Sequence, residues 1–358
     1  MPKPRELATS IHLHATPASQ RQPKRTYLIY FIPGNPGLIE FYRTFLTHLY
    51  GLLTAKLATE KDVEFQIYGR SLSGFETSRA QIDEREKEKE LEGKRPPYDV
   101  EQQIAITERH VKNAVQKLKS EGCGDVRLIL MGHSLGTYIS MEILRRLRST
   151  SQNPADSVRV VGGICLFTTI TNLAGSPNGK KLGHKAQWFV SPRHAPHLIH
   201  ALVKLLTLLL PTRLLAFFIH LFDGQPPDTA HVTASHIKSP LGMRQMLHLA
   251  QDELHVISKD KWDEEVWGAA AASGHPHPRP VLRFLFGGKD GWVANETRDE
   301  LIKARGGSGS GDDVWKPKME VDEKEGWPHD FCVRHSVPVA ERVYGYVEDI
   351  VKADLERG

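Results

Sequence analysis

The sequence predicts an α/β fold: a mostly parallel central sheet with helices on both faces and a helical, hydrophobic cap or lid inserted late in the chain. Three observations predict it. Short apolar runs ending in Gly or Pro alternate with amphipathic segments of helical period. One such run stops directly at Gly132-His133-Ser134-Leu135-Gly136. The alternation then lapses between Thr171 and Arg279 before it resumes, as expected for an insertion on the sheet. A chain of 358 residues has room for one large α/β domain carrying such an insertion.

Taken in order, Thr26 to Pro33 (TYLIYFIP) has the length and aromatic content of a buried strand. A helix is expected across Ile39 to Thr54, where Phe41, Phe45, Leu46 and Leu49 fall at helical spacing. Val63 to Tyr68 alternates like a strand and breaks at Gly69. The charge run from Gln81 to Arg95 is most simply a solvated loop or helix end. Tyr98 to Leu118 reads as an amphipathic helix, with Ile104, Val111, Val115 and Leu118 on one face. Val126 to Met131 and Val158 to Phe167 are further strands, with a helix from Tyr138 to Leu147 between them. After the insertion, Val281 to Phe286 resumes the sheet, and Val337 to Leu355 closes the chain as a helix. Near-continuous apolar strands alternating with helices favour parallel pairing covered on both faces. The expected division is a polar segment 1–25, a first half of the core at 26–170, the insertion at 171–279 and a second half at 280–358. No internal repeat interrupts this plan.

Composition narrows the function. Hydrophobic residues at 40% and charged residues at 25% describe a globular chain. The net charge of +4 is too small, and too evenly spread, to point to nucleic acid. Cys123, Cys165 and Cys332 are scattered and lack metal-ligand spacing, so no disulfide framework, metal or cofactor is expected, and a reducing compartment is the default. Met1 to Arg25 lacks the apolar run of a signal peptide, and no stretch of about 20 clean apolar residues predicts a simple span.

The pentapeptide at 132–136 matches G-x-S-x-G. A serine hydroxyl is a weak nucleophile and has to be presented to a base at the mouth of a sheet. A sharp strand-to-helix turn does this, with Gly132 and Gly136 letting neighbouring backbone pass and His133 and Leu135 flanking Ser134. The turn also leaves the Leu135 N–H free at a helix N-terminus to hold a developing oxyanion. This is the α/β-hydrolase arrangement. Alone the pattern is weak, and a Gly/Ser turn with Ser134 as N-cap is the alternative. The strand ending at Met131 and the helical pattern after Gly136 decide for the elbow.

Pro33-Gly34-Asn35-Pro36-Gly37 follows the first strong strand, where this fold supplies its second oxyanion N–H; Asn35 is assigned by position, with Gly34 and Gly37 permitting the tight backbone. A plain Asn-Pro turn is the alternative. The acid comes next in chain order, and Asp290 follows VLRFLF through Gly287-Gly288-Lys289. It could instead only shape a Lys-Asp-Gly turn. Asp312, Asp313 and Asp322 are weaker candidates, because no strand end is expected to present them. The base lies on a later loop: His329, in Trp327-Pro328-His329-Asp330-Phe331, is preferred over His335.

Leu198 to Phe222 is the most hydrophobic stretch. His197, His200, Lys204 and Thr207 give it one thin polar stripe, and Pro211-Thr212-Arg213 breaks it. It reads as a lid whose Leu205, Leu206, Leu209, Leu214, Leu215, Phe217 and Phe218 meet lipid. Two buried core helices of a cap are the alternative, and Trp188 and Phe189 suit either. Each half is too short to cross a bilayer.

Together, FIPGNPGLIEFY (31–42), GHSLGTY (132–138), GGKDGW (287–292) and HDFC (329–332) resemble the lipid droplet-associated hydrolases, PGNPG-x-x-x-FY being the distinctive element. The resemblance covers most of Tyr27 to Val343. It implies an α/β-hydrolase with a Ser134–Asp290–His329 triad, acting on a neutral-lipid ester (sterol ester or acylglycerol) as a monotopic protein of lipid droplets and the cytosolic face of the endoplasmic reticulum. The longer acid-to-histidine interval, including Gly306 to Asp313 (GGSGSGDD, a flexible surface loop by composition), departs from the family pattern. Two other functions are carried alongside: a droplet-surface protein with little turnover, and a soluble cytosolic esterase or acyltransferase.

Overall fold

Seven strands run in the order β1-β3-β2-β4-β5-β6-β7 across one sheet. They are β1 (Ser10–Leu13), β2 (Arg25–Ile32), β3 (Val63–Arg70), β4 (Val126–His133), β5 (Val160–Leu166), β6 (Val281–Gly287) and β7 (Lys318–Asp322). The computed structural model describes residues 6–15, 25–58, 63–87, 94–150, 158–189, 205, 210–267, 275–307 and 316–357. All neighbouring strands pair in parallel except β1, which lies antiparallel on β3. Every residue of β4 and β5 is buried, as expected of central strands covered on both faces.

The longer α-helices among the described residues are α1 (Arg43–Leu52), α2 (Arg79–Lys87), α3 (Val100–Ser120), α4 (Leu135–Thr150), α5 (Pro177–Phe189), α6 (Thr212–Asp223), α7 (Pro227–Lys238), α8 (Gly242–Val256), α9 (Asn295–Arg305) and α10 (Ser336–Glu356). From β2 the chain crosses to β3 in one direction through α1, and from β4 to β5 in the other through α4. Right-handed crossovers therefore put α1 and α4 on opposite faces. α10 packs beside α1 and onto β5, where Ile350 fills the space over Gly162. α3 starts on a full capping box: the Asp99 carboxylate accepts the Gln102 N–H at 2.8 Å, while the Gln102 side chain accepts the Asp99 N–H at 3.1 Å.

Three elements differ from expectation. β1 and β7 are strands the sequence pattern does not announce. Part of the charged run after Gln81 is α2, one face of which is buried. The reason is local: the Arg85 guanidinium lies 2.9 Å from the Glu76 carboxylate in the interior and stacks 5.2 Å from the Tyr98 ring. Charge at this spot is paired inside, not solvated.

Between β5 and β6 lie α5 to α8. α6 has no buried residue, so the alternative of a buried core helix fails for it. Leu205, Leu214, Phe217, Phe218, Leu221 and Phe222 are exposed, and Leu215 is half-buried. Leu206 and Leu209, with the stripe His197, His200, Lys204 and Thr207, lie outside the described residues, as do the Trp188 and Phe189 side chains. No described helix is long and apolar enough to cross a membrane.

Candidate active site

In a parallel sheet the strand C-termini share one edge, and the loops leaving β2, β4, β6 and β7 converge there. β4 runs buried to His133, and the next residue, Ser134, takes φ +52°. A left-handed non-glycine residue costs about 1–3 kcal/mol and persists only where its surroundings hold it. Here the Ser134 N–H donates to the Leu166 carbonyl at 3.0 Å, while the Ser134 carbonyl accepts from the Thr137 N–H at 2.8 Å and its hydroxyl at 2.6 Å. The flanking glycines are steric requirements. A Cβ on Gly136 would sit 2.1 Å from the Ile32 carbonyl oxygen, and one on Gly132 would sit 2.2 Å from the Gly136 oxygen.

The structure brings Ser134, His329 and Asp290 together. Ser134 Oγ lies 2.8 Å from His329 Nε2, and His329 Nδ1 lies 2.7 Å from Asp290 Oδ2. A carboxylate only accepts, so Nδ1 carries the proton and Nε2 faces the serine as an acceptor. Such an array can move a proton from oxygen to imidazole and stabilise the cation formed. Asp290 Oδ1 accepts the Trp292 N–H at 2.8 Å, which fixes the carboxylate's rotation. Ser134 is buried but keeps 9% of its surface, and the His329 side chain keeps 16%. His335 stands at the start of α10, and its ring makes no hydrogen bond to Ser134 or Asp290 among the described residues. The buried Cys332 thiol is pushed up to about 12, chiefly by desolvation, and offers no competing nucleophile.

The histidine loop is braced from two sides. Asp322 is the last residue of β7, so, contrary to the sequence reading, a strand end does present it. Its carboxylate is used otherwise: it accepts the Glu325 N–H at 2.9 Å and the Trp327 N–H at 2.7 Å. On the other side, His133 Nε2 meets the carbonyl of His329 at 2.8 Å, and His133 Nδ1 meets the Tyr42 hydroxyl at 2.7 Å. Burial, reinforced by the nearby His329, holds the His133 imidazole well below its ordinary value and so neutral. Phe331, fully buried and stacked on Phe167, walls the same space.

The loop after β2 is pressed against the elbow: a Cβ on Gly34 would come 2.9 Å from Ser134 Cβ. Leu135 opens α4, and the backbone N–H groups of Leu135 and Asn35 find no acceptor among the described residues. The Asn35 side chain turns the other way, its amide donating to the Met246 carbonyl at 3.0 Å and to the Glu253 carboxyl at 2.9 Å, both on α8. Burial pushes the Glu253 carboxyl up to about 8, with Asp252 adding to the effect and the Asn35 hydrogen bond opposing it. Gly37 packs onto Leu72. No described group of three or more His, Cys, Asp or Glu residues could hold a metal.

Sequence reasoning passed over Tyr42 and Glu253 as parts of this site and weighed Asp322 only as a weaker candidate for the acid. Tyr42 carried a signal, the FY of the motif after PGNPG. Nothing in the sequence marked Asp322 as a brace for the histidine loop, and a glutamate on an amphipathic helix carried no signal.

The fold has many solved counterparts. The peroxisomal alpha-beta-hydrolase Lpx1 of Saccharomyces cerevisiae superposes with TM-score 0.56 over 98% of this chain and 86% of its own, at 10% identity. A 2-hydroxy-6-oxo-6-phenylhexa-2,4-dienoate hydrolase from Rhodococcus sp. strain RHA1 gives 0.52 over 90% and 91%, at 12% identity. At these identities the likeness establishes the α/β-hydrolase fold. By sequence, the chain is 25% identical over 337 residues to the lipid droplet-associated hydrolase of Mus musculus, covering 92% of this chain and 86% of that protein. The Drosophila melanogaster protein of the same name is 24% identical over 322 residues, 87% and 86% of the two chains. The profile of the lipid-droplet associated hydrolases matches residues 25–332. With the fold, the motifs and this match in agreement, the chain belongs to the lipid droplet-associated hydrolase family.

Proposed function

We propose that this protein is a serine carboxylic ester hydrolase that cleaves a neutral-lipid ester, of the sterol ester or acylglycerol class, at the droplet surface. The observation that carries the reading is the unbroken run Ser134 Oγ–His329–Asp290, at 2.8 and 2.7 Å. Ser134 attacks the ester carbonyl while His329 Nε2 takes its proton, and Asp290 keeps the imidazole in the Nδ1–H tautomer. The backbone N–H groups of Leu135 and Asn35 hold the oxyanion. The intermediate collapses, His329 returns the proton to the departing alcohol, and water releases the acyl group by the same path in reverse.

α6 supports the lipid part of the reading. Phe217, Phe218 and Phe222 form a contiguous aromatic surface, with ring centroids 5.8 and 6.1 Å apart, on a helix with no fully buried residue. A patch of this kind marks an interaction with an apolar phase. We assign it to the monolayer of a droplet or the cytosolic leaflet of the endoplasmic reticulum. The same surface favours a second reading, a droplet-resident protein whose effect on droplets does not need turnover.

Fluorophosphonate labelling separates the two. The wild type is expected to label and to hydrolyse a panel of sterol esters, acylglycerols and short esters. Ser134→Ala should lose labelling entirely and activity by about a thousandfold or more. Labelling undiminished in Ser134→Ala would refute the nucleophile. Droplet morphology that changes on deletion of 198–222 but not in Ser134→Ala would favour the second reading.

A further inference from the structure

The tie between His133 and the His329 carbonyl belongs to a longer chain whose every link has a fixed direction. A carbonyl oxygen only accepts, so His133 Nε2 carries a hydrogen and donates to His329 O at 2.8 Å. In a neutral imidazole the other nitrogen is then bare, so Nδ1 accepts from the Tyr42 hydroxyl at 2.7 Å. With its proton committed, the Tyr42 oxygen accepts the Gly34 N–H at 3.2 Å. One file of hydrogen bonds thus joins the loop after β2, the residue before the nucleophile and the main chain of the base.

We propose that Tyr42 and His133 are positioning residues, which lock the loop of Gly34 and Asn35 and the loop of His329 onto the elbow through this single directed chain. The inference rests on Ser134 and His329 acting as proposed above. Its logic is geometric: proton transfer needs Oγ and Nε2 in register, and the oxyanion donors must lie on the same carbonyl. Three loops that must agree to within fractions of an ångström are here tied to each other and not only to the sheet. All three side chains of the junction, Tyr42, His133 and Phe331, are buried, so water does not compete for the links. A neutral side chain is also required at 133. The imidazolium formed on His329 during the reaction lies 5.2 Å from it, ring centre to ring centre, and a charge there would oppose proton transfer.

The test uses the purified full chain, with rates of fluorophosphonate acylation and kcat and KM on a short ester. Labelling of the wild type and its absence in Ser134→Ala secures the underlying reading; an unlabelled wild type overturns that reading and this inference with it. Given labelling, Tyr42→Phe should acylate about tenfold more slowly and His133→Phe about a hundredfold, with kcat lowered and KM little changed. The double variant should be no slower than His133→Phe alone, because the residues act as one unit. His133→Gln, whose amide still donates to the His329 carbonyl, should recover most of the loss. A folded His133→Phe that acylates at the wild-type rate overturns the proposal, as do Tyr42→Phe and His133→Phe losses that simply multiply. If His133→Phe fails to fold, Tyr42→Phe decides, and a wild-type rate there is equally fatal. Independently of activity, nitrogen-15 spectra should show His133 as a neutral Nε2–H imidazole from about pH 5.5 to 8; titration in that range would overturn the assignment.

Discussion

β4 and α6 are two of the most apolar stretches of this chain, and they have opposite fates. All eight residues of β4 are buried; none of the twelve residues of α6 is, and Phe217 and Phe222 keep 55% and 81% of their surface. Sequence apolarity says that a segment avoids water, not what it avoids water against. β4 has strands on both flanks and helices on both faces, so folding alone satisfies it. α6 hydrogen-bonds its own backbone and rests one face on α7, so it can remain a helix while Leu214, Phe217, Phe218, Leu221 and Phe222 stay exposed.

Substitutions should separate the two segments cleanly. The largest stability change belongs to β4: Ile129→Ala, in the centre of the sheet, should cost about 2–5 kcal/mol in denaturant unfolding and leave lipid affinity per folded molecule unchanged. In α6, Phe217→Ser combined with Phe222→Ser should alter stability by no more than about 0.5 kcal/mol. The same pair should weaken binding to a triacylglycerol emulsion by about tenfold or more, since each buried phenyl ring contributes about 1.5–3 kcal/mol. An early-melting double variant would show that α6 is part of the core and remove the contrast.

A pH-dependent effect concerns the place where the helices between β5 and β6 meet the core. The unfolded chain releases the Glu253 proton near 4.5, whereas the folded protein retains it to about 8. The contribution of this group is therefore full below pH 4.5, falls as pH rises toward 8 and is level beyond. Glu253→Gln should flatten that decline, compared by urea unfolding at about pH 5 and pH 8. Parallel pH slopes for the two proteins would remove Glu253 as the cause.

The strands that shape the centre of the sheet were legible because burial on both faces makes them continuously apolar. Ser134 and Asp290 could be singled out for the same reason, each standing just beyond such a run, and His329 by its place before the closing helix. β1 and β7 were not legible: SIHL and KMEVD are too short and too polar at an edge to show a pattern. α2 was hidden because its one buried charge, Arg85, is matched by Glu76 and Tyr98 outside the helix, which the charge run itself does not reveal. Tyr42, His133 and Glu253 act through contacts with residues far away in sequence, 91 positions apart for Tyr42 and His133 and 218 for Asn35 and Glu253. No window along the chain displays such a pairing.

The Asp322 carboxylate gives this arrangement a tolerance of its own. The glycine- and serine-rich tract from Gly306 to Asp313 precedes β7 in the chain, and β7 is registered on β6 from Lys318 onward. Asp322 grips the chain again at Glu325 and Trp327 before His329 is reached. The position of the base is thereby set downstream of β7, by contacts that do not involve the preceding tract. Sequence added ahead of Lys318 should therefore leave the position of His329 unchanged.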